Sequence, residues 1–442
     1  MNRNFNVDLT DGSITGGLIR FSVPLMLGNI LQQFYNIADT LIVGRYIGKE
    51  ALAAVGSAYS LMIFLTSVIL GLSMGSGAFL SIQHGNRDAD AFSCGNFMAF
   101  VSIGIFTVVL NAAAYIFTDN ILVLLQVPDD VYPLIRSYIR IIFGGIAATF
   151  LYNYFASCLR AVGNSVVPLI FLGISAVMNI VLDLVFVAVL GFGIEGAAAA
   201  TVIAQYFSGL GIAVYAFICN PELRFRKENA HFRRDISKRI FSLSVLTSLQ
   251  QSIMNFGILM VQGIVNSFGT TVMAAFSAAV KIDTLAYSPV QDFGNAFSTF
   301  TAQNNGAGKS DRIKKGTKTA FIAAAVFCAV ISAAVFIFAE GLMSLFAEDS
   351  DIIAVGASYL RIEGAFYCLI GFLFLFYGYF RAIERPFISV ILTAASLGTR
   401  VALSYILSGI DVIGYYGIWW SIPIGWALAD IAGLAFMLKK RA

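Results

Sequence analysis

The sequence predicts an all-α polytopic membrane protein with twelve transmembrane helices in two six-helix lobes related by a parallel internal repeat. Three observations carry that expectation. Hydrophobic residues fill 58% of 442 positions and charged residues only 12%, where an ordinary soluble domain carries roughly 25% charged. The apolar residues fall in windows of about 20 or more, the length a spanning helix needs. The second half of the chain also repeats pieces of the first at a nearly constant spacing.

Windows at 18–44, 52–83 and 91–117 follow a polar start and are separated by polar breaks at 45–50 and 85–90. Windows 133–159 and 166–190 flank Gly163 and Asn164, and 195–219 follows the glycines at 191 and 193. After a basic stretch come 240–268, 272–302 and 317–339, then 352–382, 387–409 and 415–438. The runs are continuously apolar rather than alternating, which favours helices over a β-barrel.

An even number of spans places both termini on one side. The loops on that side hold most of the lysines and arginines, including Arg87, Arg160, Arg234, Lys309, Lys314, Arg385 and Lys439. The opposite loops hold Arg45 and Lys49 and are otherwise acidic, with Asp119, Asp129, Asp130, Glu340, Glu348, Asp349, Asp351 and Asp411. By the positive-inside rule both termini are expected in the cytoplasm, with the protein in the inner (plasma) membrane. The polar stretch 221–239 reads as a cytoplasmic linker between an N-terminal lobe, 1–220, and a C-terminal lobe, 240–442.

A net charge of +3 does not suggest nucleic acid. The five cysteines are isolated, and no CxxC or Cys/His cluster supports a disulfide framework or a zinc site. No signal peptide is expected at the polar N-terminus. Gly308, Lys309 and Ser310 resemble the end of a P-loop, but Gln303 stands where that motif requires glycine. His84 and His231 are the only histidines and both lie in predicted loops. No enzyme constellation is visible.

The halves match in order. Ser137-Tyr138-Ile139-Arg140 recurs as Ser358-Tyr359-Leu360-Arg361, 221 positions on, and Arg160-Ala161 as Arg381-Ala382 at the same spacing. Leu31-Gln32-Gln33 recurs as Leu249-Gln250-Gln251. Several matches at one spacing argue duplication. With an even number of spans in each half, the repeat is parallel, and substrate is expected between the lobes. Gln32, Tyr35 and Asn36, with Gln251, Met254, Asn255 and Glu363, are expected to line that central cavity. The Ser-Tyr-x-Arg motif, kept in both halves, reads as structural.

Polar residues inside apolar windows are the sharper signal. Gln32, Asn36 and Asp39 share one helix face, as do Asn179 and Asp183, and Thr201 follows the small run 196–200. At 1.5 Å per residue, Asp39 and Thr201 lie about 7 Å below the outer ends of their spans, Asp183 about 12 Å and Asn179 about 18 Å. A charge at the bilayer centre costs on the order of 2.5–3.5 kcal/mol on insertion scales. Two carboxylates, an amide oxygen and a hydroxyl at comparable depth could therefore bind a proton pair or a Na⁺ ion. The competing reading is that each bonds separately to a neighbouring helix. Asp183 aligns with Ser404 and Asn179 with Arg400, so the second half lacks this set. It has its own intramembrane charges, Lys281, Asp283, Asp292, Glu363, Arg400 and Asp430. Fixed ion pairs such as Glu363 with Arg400 are one reading of these, and contact with a cationic substrate is another. Met254, Phe256, Met260, Met273, Phe276 and Tyr287 offer aromatic and thioether surface for the second, or plain packing.

The span 1 pattern from Pro24 through Asp39-Thr40-Leu41-Ile42-Val43-Gly44 resembles that of bacterial multidrug and toxic compound extrusion (MATE) transporters. So do Leu52-Ala53-Ala54-Val55-Gly56, Arg160-Ala161-Val162-Gly163-Asn164 to Pro168, Asn179 to Asp183, and Gly191-Phe192-Gly193-Ile194-Glu195-Gly196. The resemblance covers nearly the whole chain. It implies H⁺- or Na⁺-driven export of cationic and amphipathic organic compounds by rocking of two lobes, with a cation site matching Asp39, Asn179, Asp183 and Thr201. If Na⁺ is the ion, Asp39, Asn179 and Asp183 are its expected ligands. Some family members also use acids on spans 7 and 10. Here span 7 carries Asn255, leaving only Glu363 on span 10, so a second-lobe site is not expected. No cofactor beyond the coupling ion is implied, and the expected partners are small organic substrates and the bilayer, with a monomeric protein. The alternative is a flippase of a lipid-linked saccharide or other lipid; twelve spans and few intramembrane arginines speak against it. A channel or a non-transporting scaffold fits poorly with an Asp39–Asp183 set confined to one lobe of a duplicated fold.

Overall fold

The computed structural model describes residues 5–124, 131–225, 228 and 232–439. Among the described residues the chain is helical, with no strand. The first windows become α1 (Ile14–Tyr46), α2 (Lys49–Asn86) and α3 (Ala89–Ile116), followed by a short α4 (Thr118–Leu124). The fourth window is two helices, α5 (Tyr132–Phe143) and α6 (Ile146–Ala161), bent by 44°. The next are α7 (Val166–Asp183), which runs into a π-helical segment Leu184–Val189, and α8 (Gly193–Cys219). The second half follows with α9 (Arg234–Asn266), α10 (Thr270–Gly306) and α11 (Ser310–Met343). A second bent pair, α12 (Ser350–Gly364) and α13 (Tyr367–Ala382), meets at 52°, and α14 (Pro386–Ser408) and α15 (Tyr416–Lys439) close the chain.

Each predicted window therefore falls on helix. Eight of these helices are long and apolar enough to cross a membrane, or ten if each bent pair is one span. The other two long helices, α9 and α10, carry Gln250, Gln251 and Asn255, and Lys281, Asp283 and Asp292, which lower their apolar content. The bends occur at one place in the repeat. Gly144 and Gly145 interrupt the first pair, and the break at 365–366 lies 221 positions later. Each break follows the Ser-Tyr-x-Arg motif. Large apolar side chains such as Val108 and Ile116 on α3 point outward, 68% and 73% exposed, as lipid-facing positions must.

The chain forms two compact units: Met1–Asp8 with Leu27–Ser248, and Leu9–Met26 with Leu249–Ala442. The boundaries fall inside α1 and α9 rather than at the linker 221–239. Local packing explains both. In the first unit, Gly71 and Gly75 of α2 form a GxxxG face against Ser244 and Ser248 of α9, and Ser248 Oγ donates to the Val68 carbonyl at 3.1 Å. A Cβ on Gly75 would run into the Leu243 carbonyl and the Ser244 Cα. In the second unit, the segment before α1 is held by the turn between α10 and α11. Asn304 Nδ2 donates to the Leu9 carbonyl at 3.0 Å, Lys309 Nζ pairs with Asp11 at 2.7 Å, and Arg312 donates to the carbonyls of Leu9, Asp11 and Gly12. The second unit also packs backbone to backbone, since a Cβ on Gly378 of α13 would meet the Gly294 carbonyl of α10. Arg381, one turn on, donates to Ser298 Oγ at 3.2 Å and Asn295 Oδ1 at 3.1 Å.

Close approach of this kind fixes a prediction. Gly75→Ala forces α2 and α9 apart, and overpacking of a tight contact typically costs about 1–3 kcal/mol. The thermal midpoint of the purified variant in detergent should fall clearly below wild type. Gly56→Ala, where nothing lies within 4 Å of the added carbon, should leave it unchanged.

Candidate functional site

The sequence-predicted constellation assembles within the first unit. α7 turns Ser175, Asn179 and Asp183 to one buried stripe, spaced four residues apart. Facing it, α8 presents the small residues Gly196, Ala197, Ala198 and Ala200 before Thr201 and Ala204, all buried. Small side chains there let α7 come near, and Ser175 Oγ ties the pair by donating to the Ala204 carbonyl at 2.8 Å. One turn along, Asn179 Nδ2 donates to Thr201 Oγ1 at 3.3 Å. α1 brings Asp39 to the same place, and its carboxyl stands within hydrogen-bonding range of the Asp183 carboxyl. Asp183 is 0% and Asp39 9% exposed.

Oxygen acceptors are in excess. Asp39 Oδ1, Asn179 Oδ1 and both Asp183 carboxylate oxygens are buried with no hydrogen-bond donor among the described residues. Among the described residues no lysine or arginine acts on either acid. Two carboxyl groups in contact need a shared proton or an intervening cation, because both are acceptors when ionised. Asp183 also ends the regular part of α7, since the π-helical turn begins at Leu184. Such turns are frequent at functional sites.

Two tyrosines complete the surroundings. Tyr35, one turn before Asp39 on α1, lies beside Thr201 and both acids. Tyr138 of α5 is 7% exposed and faces Asp39, Asp183 and Tyr35. Its motif reads as structural in the sequence, which gives no sign that Tyr138 lies beside the acids.

The expected substrate residues are placed individually. Gln32 is exposed, Tyr35 and Asn36 are half-buried, and the Asn36 carbonyl accepts from Thr40 Oγ1. In the second unit Gln251 is buried while Met254 and Asn255 are half-buried. Glu363 is 1% exposed. Glu363 and Arg400 are electrostatic neighbours but form no direct ion pair, which corrects the fixed-pair expectation. Phe276 is no substrate surface either: it stacks on Trp419 at 5.5 Å and meets Tyr359 edge-on, sealed in the core. Phe256, Met260 and Met273 remain exposed.

Known proteins share this architecture. The chain is 29% identical to YpnP of Bacillus subtilis, which bears the name of a probable multidrug resistance protein, over 85% of this chain and 84% of that one. It is 24% identical to the FAD transporter of Shewanella oneidensis, over 94% and 92%. The solved structure of a multidrug resistance MATE family transporter in an outward-facing conformation superposes with a TM-score of 0.93 at 24% identity, over 100% of this chain and 98% of that one. The MatE family model matches twice, over 24–185 and 244–406, one match to each half of the repeat. A match of that extent, on a fold of the same kind, means that the chain belongs to the MatE family.

Proposed function

We propose that this protein is a secondary active exporter that couples H⁺ or Na⁺ influx to efflux of cationic or amphipathic organic compounds by alternating access. The observation that carries the reading is the buried Asp39–Asp183 pair, which has no counter-charge among the described residues. The multidrug names of relatives such as YpnP support the substrate class. Asp39, Asp183, Asn179 and Thr201 hold the coupling cation. A proton bridges the two carboxyls, or Na⁺ uses their oxygens with those of Asn179 and Thr201. Gln32, Tyr35, Asn36, Gln251, Met254 and Asn255 serve the substrate. The cation neutralises the pair in one conformation and leaves it in the other. It shifts the equilibrium by its differential affinity for the two states. The protein works as a monomer of twelve spans in the plasma membrane, with both termini cytoplasmic.

Two outcomes follow. In proteoliposomes loaded with a fluorescent organic cation, imposed pH and Na⁺ gradients applied separately should reveal the driving ion. Asp39→Asn and Asp183→Asn should each reduce gradient-driven efflux to the level of empty liposomes while retaining drug binding. Normal efflux in a folded double variant would move coupling elsewhere. For topology, a cysteine introduced at Arg87 or Ser310 in a cysteine-free background should resist membrane-impermeant maleimide in intact cells and react in inverted vesicles. Labelling from outside would reverse the orientation.

A further inference from the structure

Helix α5 has two faces. Ile135, Tyr138, Ile139 and Ile142 are buried. Pro133, Arg136, Ser137 and Arg140 recur at three- and four-residue spacing on the opposite face. Together with Asp119, Tyr132 and Glu195 they line a groove of about 740 Å³. It lies within the first unit, where α3 ends and α5 and α8 begin. Since α3 is the third long helix of the chain, that is the side opposite the start of α1. The charges in the groove do not satisfy one another. Both carboxylate oxygens of Asp119 accept from Arg136, at 2.6 Å from Nε and 3.0 Å from Nη2, and Oδ1 also accepts from Tyr132 at 3.0 Å. Arg140 is exposed and acts on Asp119 without forming an ion pair. Glu195 accepts from Ser137 Oγ and has no basic partner among the described residues.

The second unit shows the same positions without the extra arginine. At the 221-residue spacing Glu340 corresponds to Asp119 and Arg361 to Arg140, and those two pair at 2.9 Å. Ala357 stands where the first unit has Arg136, and Tyr416 where it has Glu195. Ser358, the equivalent of Ser137, donates to the Val355 carbonyl of its own helix at 2.6 Å. In the first unit Arg136 thus takes the partner that Arg140 would have. It leaves one guanidinium and one carboxylate, Arg140 and Glu195, available in a single groove. The two acids and two arginines balance, so the ligand that suits the groove carries one charge of each sign. A guanidinium fork matches phosphate oxygens, and a carboxylate accepts from an ammonium. Exposed apolar residues adjoin both acids in the chain, Ile116 and Phe117 before Asp119 and Phe192 before Glu195.

We propose that this groove binds the headgroup of an amine-bearing, zwitterionic glycerophospholipid, with its phosphate on the Arg140 guanidinium and its ammonium on the Glu195 carboxylate. The acyl chains then run along the apolar residues beside the acids. Arg136 is a positioning residue, which holds Asp119 away from Arg140. A primary ammonium brings three N–H donors to Glu195, and a quaternary one brings none. The acidic loops of this side of the chain make a purely anionic headgroup a poorer fit. The site does not depend on the exporter reading. It bears on it through α5, whose Tyr138 faces Asp39 and Asp183 from the other side of the helix.

The test titrates purified, delipidated full-length protein in detergent with phosphatidylethanolamine or with phosphatidylcholine of the same acyl chains, and counts bound lipids by native mass spectrometry. Wild type should bind one phosphatidylethanolamine in preference to phosphatidylcholine. Arg140→Gln and Glu195→Gln should each weaken that binding about tenfold, as loss of a charge-assisted hydrogen bond does. Both side chains are exposed, so neither change disturbs the core. Arg136→Ala copies the arrangement of the second unit. Asp119 becomes available to Arg140, and lipid binding should fall although Arg140 and Glu195 are untouched. Arg361→Gln, at the equivalent position of the second unit, should change nothing, and a comparable loss there would point to general surface charge and overturn the site. Soluble glycerophosphoethanolamine at the concentration of the lipid separates the two sources of this chemistry. Retention of the lipid supports the proposal, and its displacement would assign the groove to a soluble phosphodiester and overturn it. Equal binding of the two lipids, or binding unchanged in Arg140→Gln and Glu195→Gln, would overturn it as well.

Discussion

Two carboxyl groups meet in the interior of the first unit, and among the described residues no lysine or arginine answers them. Unit charges 4 Å apart interact by about 4 kcal/mol at an effective dielectric of 20, and desolvation adds several kcal/mol for each ion. Two ionised carboxylates there would push the helices that carry Asp39 and Asp183 apart, so a proton or small cation on the pair would stabilise the arrangement of α1, α7 and α8. The neighbours fit that condition. Thr201 is engaged by Asn179 Nδ2, which leaves the Asn179 carbonyl oxygen free to face the pair. The π-helical turn after Asp183 places the departure from regular helix at the acid itself.

Holding such a group still takes helices that approach closely, and lipid supplies no hydrophobic drive between them. The chain answers with small residues. Gly71 and Gly75 accept the Ser244–Ser248 face in the first unit, while Gly294 and Gly378 bring α10 and α13 backbone to backbone in the second. The alanine-rich start of α8 plays the same part beside the acidic pair. At these four positions glycine is tied to a particular helix contact.

Much of the site was legible because polar residues are conspicuous in apolar windows. Asp39, Asn179, Asp183 and Thr201 stood out on spacing and depth, and the structure brings them together. Tyr138 did not stand out, because a tyrosine in an apolar segment is unremarkable until its neighbours are known. Asp283 and Arg400 were visible as intramembrane charges. Their grouping with Glu363 was not, because α10, α12 and α14 are distant in sequence. A fixed Glu363–Arg400 pair was a reasonable expectation from opposite signs alone, and the geometry withholds the direct contact.

Long apolar windows, the asymmetry of basic loops and the 221-residue spacing are local or periodic properties. They determined helical class, repeat and expected orientation without any knowledge of packing. Three things needed the tertiary structure. The division of the chain into units cuts α1 and α9 because small-residue packing and the hold of Asn304, Lys309 and Arg312 on 9–12 outweigh sequence order. The bend after each Ser-Tyr-x-Arg motif depends on backbone geometry at 144–145 and 365–366. The charge balance of each acidic cluster depends on which helices meet, and only a folded chain places Arg400 beside two acids and leaves Asp39 and Asp183 with none among the described residues.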